Sequence, residues 1–323
     1  MSTTHHPGHG TSSVSAGIQF ASMGIVWGAS FLFMKVALEG ASFGQVAWSR
    51  LVLGALALGV VVLVTKNRLP SSPRVWAHFV VVAVSGSVLP YLLFAWAEQY
   101  VSSGLASIYN AVTPITTAVM ATLVFRVEKL SRAQVLGVIV GILGVVVIIG
   151  PWRFAPTAAA EGSTVTELAG QIACLGSAVC YGFTFGYLRR FITGRGVSGV
   201  TTAFMQIGLG GAIMLLLTPV VALGEVRLTL PIVLSLLTLG IVGTGFAYLW
   251  NINVLLTWGP TVTSTVTYLT PIVGVALGIL ILGETLSWNE PTGAALVFVG
   301  ILLAQRRLRL PRRRMADATT VAS

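Results

Sequence analysis

The sequence predicts an all-α integral membrane protein with ten transmembrane helices, arranged as two inverted five-helix repeats around a central cavity. Three observations predict it. The first is composition: across 323 residues, hydrophobic side chains make up 55%, charged ones only 9%, and the mean hydropathy is +0.90. Soluble domains carry roughly 25% charged residues, so these charges cannot cover a water-facing surface. Disorder, which needs high charge and low hydrophobicity, is excluded as well. The second is a succession of continuous apolar runs, each close to the roughly 20 residues that a membrane helix needs. The third is the sidedness of the basic residues in the gaps between those runs.

The runs fall at 17–38, 43–65, 75–97, 101–125, 133–150, 168–188, 198–223, 230–256, 261–283 and 291–305. They are continuous rather than alternating, which argues against a β-barrel. The first follows a polar tail, 1–16, that has no Lys or Arg before the apolar run. That run is too long for a signal-peptide core, so the first span is expected to be retained. Spans one to five (17–150) form the first repeat. The segment 151–167, small and polar, reads as a linker outside the membrane. Spans six to ten (168–305) form the second repeat, and 306–323 is a basic tail.

The charges give the orientation. With the N-terminus in the cytoplasm, fifteen of the nineteen Lys and Arg residues fall inside: Lys66, Arg68 and Arg74, then Arg126, Lys129 and Arg132, then Arg189, Arg190 and Arg195, and six arginines of the tail. Only Arg153 and Arg227 fall outside, while Lys35 and Arg50 lie within spans. Seven of the nine acids (Glu39, Glu98, Glu161, Glu167, Glu225, Glu284 and Glu290) fall outside or at the outer ends of spans. The expectation is a multi-pass plasma (inner) membrane protein with both termini cytoplasmic. The basic tail serves as a topology anchor and touches anionic membrane lipid. The gaps form no nucleic-acid patch.

The halves match each other in order. At an offset of 154, Trp27, Gly28, Phe31 and Lys35 meet Tyr181, Gly182, Phe185 and Arg189. At 156, Trp48 and Gly54 meet Phe204 and Gly210; at 157, Tyr91, Ser107, Thr113, Pro114 and Ile115 meet Tyr248, Ser264, Thr270, Pro271 and Ile272. At 156 again, Glu128, Leu130, Ser131, Gly137 and Gly144 meet Glu284, Leu286, Ser287, Gly293 and Gly300. Five spans per half is an odd number, so equivalent helices cross in opposite directions. Two such halves rocking about a midplane site are the signature of secondary transporters.

The opening "WGASFLFMK" (27–35), the "AWSR" of span two (47–50) and the doubled "TPI" blocks with their following Glu, Leu, Ser and Gly (113–137 and 270–293) resemble the EamA group of the drug/metabolite transporter superfamily. The resemblance spans the chain except both tails and the linker. It implies a ten-helix basket with a central cavity, and mostly the export of small metabolites such as amino acids. It does not name the substrate.

The candidate site residues follow from what is expensive in a membrane. Pro114 and Pro271, in spans four and nine, each remove a backbone donor and free the carbonyl of Asn110 or Thr267. They are expected to be hinges at the site. Trp27, Tyr91, Trp96, Tyr109, Asn110, Tyr181, Tyr248, Asn251 and Tyr268 carry polar groups deep in the spans. Each either lines the substrate cavity or acts as interhelical glue, worth about 0.6 kcal/mol per contact. Lys35 and Arg50 break the charge pattern, and a charge near the bilayer centre costs at least ~2.5 kcal/mol. Lys35 can pair with Glu39 one turn on, and either base with Glu98. With Glu98 they form a candidate outer gate or a counter-charge for a substrate carboxylate; snorkelling to the interface is the simpler alternative.

No Asp or Glu lies mid-span, so no carboxylate proton relay is visible. His78 reads as interfacial, and His5, His6 and His9 as part of the tail. Cys174 and Cys180 share one apolar run, which leaves no disulfide framework. No metal-binding or nucleotide motif appears, so no cofactor and no enzyme activity are expected. The glycines of spans five and ten (Gly137, Gly141, Gly144, Gly293 and Gly300) read as close-packing faces, through which a homodimer could also form. The leading expectation is a secondary transporter exporting a small organic metabolite by alternating access. The alternatives are a sensor or scaffold without flux and a passive channel.

Overall fold

The computed structural model describes residues 13–154, 163–263 and 266–305, and among them all regular structure is helical. The polar N-terminal tail through residue 12, the linker from 155 to 162, Ser264 and the arginines of the basic tail lie outside the described residues.

Among the described residues, the long helices build the fold. They are α1 (Ser13–Ala37), α2 (Phe43–Thr65), α3 (Pro73–Ala97), α4 (Ser103–Val124), α5 (Arg132–Ile149), α6 (Ser163–Phe191), α7 (Gly199–Leu216), α8 (Leu230–Leu237 continued through Thr238–Phe246 and Ala247–Thr263), α9 (Val266–Leu282) and α10 (Asn289–Ala304). The first eight are long and apolar enough to cross a membrane; α9 and α10 are apolar but shorter. Local chemistry sets the ends. Ser42 and Ser131 each cap a helix reciprocally with a Gln three residues on, satisfying two orphan amides at each start. α5 stops at Gly150, whose φ of 62° suits a residue without a Cβ. Apolar side chains on the outside, such as Leu56, Val60 and Leu63 of α2 and Ile139, Ile142 and Leu143 of α5, are exposed. Lipid is the solvent that suits such a surface.

Contacts sort the loops onto two faces. On one, Arg227 N–H donates to the Gly40 carbonyl, Gln45 reaches the carbonyls of Ala222 and Gly224, Glu284 accepts from Ser103 and Gly104, and Trp152 stacks on Trp288 at 5.6 Å. This acidic face holds Glu39, Glu98, Glu225, Glu284 and Glu290. On the other, Ser198 bonds Asn67, Thr201 bonds the Arg68 carbonyl and Arg189 pairs with Glu128. This basic face gathers nine Lys and Arg residues of the three gaps after α2, α4 and α6.

Interhelical packing repeats itself between the halves. A Cβ on Gly28 of α1 would sit 2.5 Å from Val273 of α9; one on Gly182 of α6 would sit 2.5 Å from Thr116 of α4. Gly54 of α2 abuts Thr244 of α8, and Gly210 of α7 abuts Ser87 of α3. Gly86 lies against Thr184, and Gly243 against Ser30. In each pair the two contacts join residues that correspond at offsets of 154 to 157. The glycine faces of α5 and α10 close on each other: Gly137 and Gly144 meet the backbones of Gly300 and Gly293. Both glycine faces therefore pack against each other within one chain.

Candidate functional site

A cavity of about 200 Å³ lies among α1, α2, α3, α4, α6, α7, α8 and α9. Trp27, Phe31, Phe94 and Phe185 give it an aromatic wall; Asn110, Asn251, Thr113, Thr267 and Thr270 give it polar points. Trp27 is fixed by its Nε1–H, which donates to the Gly243 carbonyl at 3.1 Å, and by an edge contact with Tyr248. The Thr113 hydroxyl is buried without a partner.

Wider helical turns shape the walls. Val84–Val88 in α3 and Thr238–Phe246 in α8 are π-type turns at corresponding places in the two halves. Such turns recur at functional sites because they re-aim side chains and loosen the backbone ladder. Pro90 follows the first and has no N–H to offer the Gly86 carbonyl. Gln206 Nε2 fills the gap, donating to Gly86 O and to Ser87 Oγ, both at 3.0 Å.

Arg50 is the charged element. It is 9% exposed and lines the cavity. Its Nε donates to Thr244 Oγ1 at 3.2 Å, and its guanidinium lies over the Tyr91 ring at 4.1 Å. Planar stacking on an aromatic face suits a guanidinium and adds cation–π attraction. Tyr91, Tyr181 and Tyr248 surround it. Among the described residues no carboxylate lies within ion-pair distance of it. Arg50 and Gln206 correspond at an offset of 156, and their acceptors Thr244 and Ser87 at 157. The site is thus pseudo-symmetric in its hydrogen bonds and asymmetric in charge.

Of the residues expected from sequence, Trp27, Arg50, Asn110, Tyr181, Tyr248 and Asn251 meet at the cavity, and Tyr91 lies just behind it, under Arg50. Three lie elsewhere. Trp96 packs on Tyr100 at 4.9 Å near the acidic face. Tyr109 is fully buried and donates to Gln171 Oε1 at 2.9 Å. Tyr268 bonds Gln305 and packs on Phe298. Each has found an interhelical partner. The two prolines differ as well. α4 breaks at Ala111–Val112, and Pro114 sits in the first turn of the resumed helix, where its missing N–H costs nothing. Pro271 lies inside an unbroken α9, and the freed Thr267 belongs to the cavity wall. Gln206 and Gly86 were not expected. The offset of 156 that aligns Trp48 with Phe204 also aligns Arg50 with Gln206 and was the available signal.

On the acidic side the cavity is covered. Phe31 and Phe94 meet edge to face at 5.4 Å. Beyond them Lys35 donates to the main-chain carbonyls of Glu98 and of Val101, the latter at 2.9 Å. It thereby ties α1 to the loop between α3 and α4. The bond goes to the Glu98 backbone, and neither the Glu98 nor the Glu39 carboxylate forms the ion pair that the sequence suggested. Glu284 reaches the start of α4, accepting from Ser103 N, Ser103 Oγ and Gly104 N at 2.7 to 3.0 Å. Among the described residues no group of three or more His, Cys, Asp or Glu side chains forms a metal-binding cluster.

Helices apolar on their outer faces, enclosing a cavity lined by the buried Arg50 guanidinium, define a multi-pass membrane protein. The EamA-like transporter family model matches residues 15–150 and again 168–305, and the chain belongs to that family. It is 25% identical to a "probable terminal-alkyne amino-acid exporter" of Streptantibioticus cattleyicolor, over 91% of this chain and 94% of that protein. It is likewise 25% identical to the "uncharacterized transporter YdfC" of Bacillus subtilis, over 80% of each, and 24% identical to an "uncharacterized transporter" of Archaeoglobus fulgidus, over 87% of this chain and 95% of that one. A solved crystal structure shares the fold with a TM-score of 0.61 at 18% identity, covering 92% of this chain and all of the other. The family and these relatives are transporters, not enzymes.

Proposed function

We propose that the chain is a secondary carrier that exports a small organic metabolite with one carboxylate, an amino acid or a similar molecule, across the plasma membrane. It works by alternating access between two inverted five-helix repeats, ten spans in all, with both termini cytoplasmic. The observation that carries this reading is Arg50: a buried guanidinium, stacked on Tyr91, that faces a cavity and has no carboxylate of its own. A buried charge is costly unless paired, and a substrate carboxylate supplies the pair through the guanidinium's free edge. Gln206, equivalent in position but neutral, gives the other pole. Its Nε2 is committed to Gly86 and Ser87, which leaves Oε1 to accept from a substrate ammonium or hydroxyl.

The paired contacts between corresponding residues support the inverted repeat, and the sidedness of the basic loops supports the orientation. The relative named as an amino-acid exporter supports the substrate class. Pro114 and Pro271 serve as the hinges: α4 is already broken just before Pro114, and the carbonyl that Pro271 frees lies beside the cavity, so each helix bends at low cost.

The test is efflux from proteoliposomes loaded with a mixed pool of amino acids, hydroxy acids, amines and sugars, read by mass spectrometry. Selective loss of monocarboxylates, abolished in Arg50→Gln, is the expected result. No loss of any compound from folded protein would remove the carrier reading and favour a sensor.

A further inference from the structure

Glu98 has no place in substrate binding, and its setting is unusual. It lies one residue past the last turn of α3 and is fully buried. Neither carboxylate oxygen has a hydrogen-bond partner. A carboxylate left in that state would forfeit its hydration with nothing in return. The groups that face it are Lys35 from α1, Arg50 from α2, Cys174 from α6 and Glu284 from the loop before α10. The two cations do not hydrogen-bond it, because Lys35 is spent on main-chain carbonyls and Arg50 on Thr244. Burial holds the Glu98 carboxyl well above the usual carboxylate range; Lys35 and Arg50 pull it down and Glu284 pushes it up, with burial prevailing.

We propose that Glu98 is a proton-binding site that controls the gate on the acidic face. In the arrangement seen here the carboxyl is neutral and Lys35 clamps the Glu98 and Val101 carbonyls, which holds α1 against the α3–α4 loop. When the proton leaves to the medium on that face, the new carboxylate becomes the better partner for the Lys35 ammonium. Lys35 then gives up the two carbonyls, and the loop is released. The ammonium has two alternative sets of acceptors, and one proton chooses between them. This inference rests on the carrier reading for the purpose of the gate, but the proton site stands on its own geometry.

The sign follows from linkage. The closed gate binds one more proton than the open one. Between the raised proton affinity of the buried carboxyl and the lower affinity of the carboxylate paired with Lys35, the open fraction therefore rises about tenfold per pH unit. Acid on that face shuts the gate and alkali opens it.

Two readouts on the full chain in lipid nanodiscs test this, and neither needs a substrate. Infrared difference spectra at neutral pH should show the carbonyl stretch of a protonated carboxylic acid, and Glu98→Gln should remove it. Cys174, fully buried beside Glu98, should react with a maleimide only when the gate opens. Its labelling rate in the native chain should climb with pH about tenfold per unit more steeply than in Glu98→Gln, whose slope reports thiol ionisation alone. Glu98→Asp should keep the steep slope, and Lys35→Gln should label fast at every pH. A carbonyl band unchanged in Glu98→Gln, or equal slopes in the two chains, would overturn the proposal. Absence of efflux with band and slope intact would instead count against the carrier.

Discussion

Arg50 shows how one residue can organise a site. Its stem comes from α2, its Nε is anchored by Thr244 of α8 and its plane is set by Tyr91 of α3, so three helices orient one guanidinium. Arg50→Gln is expected to lower monocarboxylate efflux at least about tenfold, which corresponds to 1.4 kcal/mol. Arg50→Lys should rescue little, because an ammonium cannot stack on Tyr91 and offer two parallel donors at once. Gln206→Lys would place a second cation at the corresponding point, so it should admit dicarboxylates that the native chain rejects; competition by succinate in the efflux assay measures this. Arg50 was legible in the sequence as a charge inside an apolar run. Gln206 was not. A lone Gln in a span looks inert until the carbonyl freed by Pro90 is known to lie beside it. Glu98 was legible with Lys35 and Arg50 as a candidate gate, but its complete burial was not, because that depends on how the helices pack around it.

At the scale of helices, the glycine seam between α5 and α10 is the most demanding contact. A Cβ on Gly137 would lie 2.5 Å from the Ala304 amide and the Gly300 carbonyl, and one on Gly300 would meet the Gly137 carbonyl at 2.6 Å. Backbone cannot move aside as a side chain can, and overpacking typically costs about 1–3 kcal/mol. Gly137→Val and Gly300→Val should therefore lower the melting temperature in detergent by several degrees, while Gly176→Ala, whose Cβ would meet Leu93 at an ordinary 3.6 Å, should leave it unchanged. Small residues spaced along a span made these faces readable in advance. Their partner was not readable, because a glycine stripe fits a second copy as well as a second helix. The π-type turns of α3 and α8 were also hidden: no residue type demands them, and the apolar runs read the same with or without the extra residue per turn.

Across the whole molecule, apolar runs and the placing of basic residues carried most of the architecture into the sequence, since a bilayer leaves helices few alternatives. The described helices lie close to the expected runs, and the contacts between loops gather most of the acids on one face and most of the bases on the other. Which face meets the cytoplasm is measurable. With Cys174 and Cys180 replaced by Ser, a cysteine at Arg195 should react with an impermeant maleimide only after the cells are permeabilised, and one at Glu225 should react in intact cells. The reverse pattern would invert the proposed orientation. What sequence could not give is which of the deep aromatics reach the cavity: Tyr109 and Tyr181 are both buried phenols in spans, and only the position of Gln171 decides that one of them is already satisfied.

The seam between α5 and α10 also has a consequence for how the chain is made. Only 28% of α5 is buried, and its close backbone neighbours sit on α10. Synthesis runs from the N-terminus, so α5 must wait in the bilayer through five further helices before its glycine face is covered. Until the ribosome delivers the final span, the first half carries an unfinished edge where lipid stands in for protein. A message cut short before Asn289 leaves that edge permanently bare.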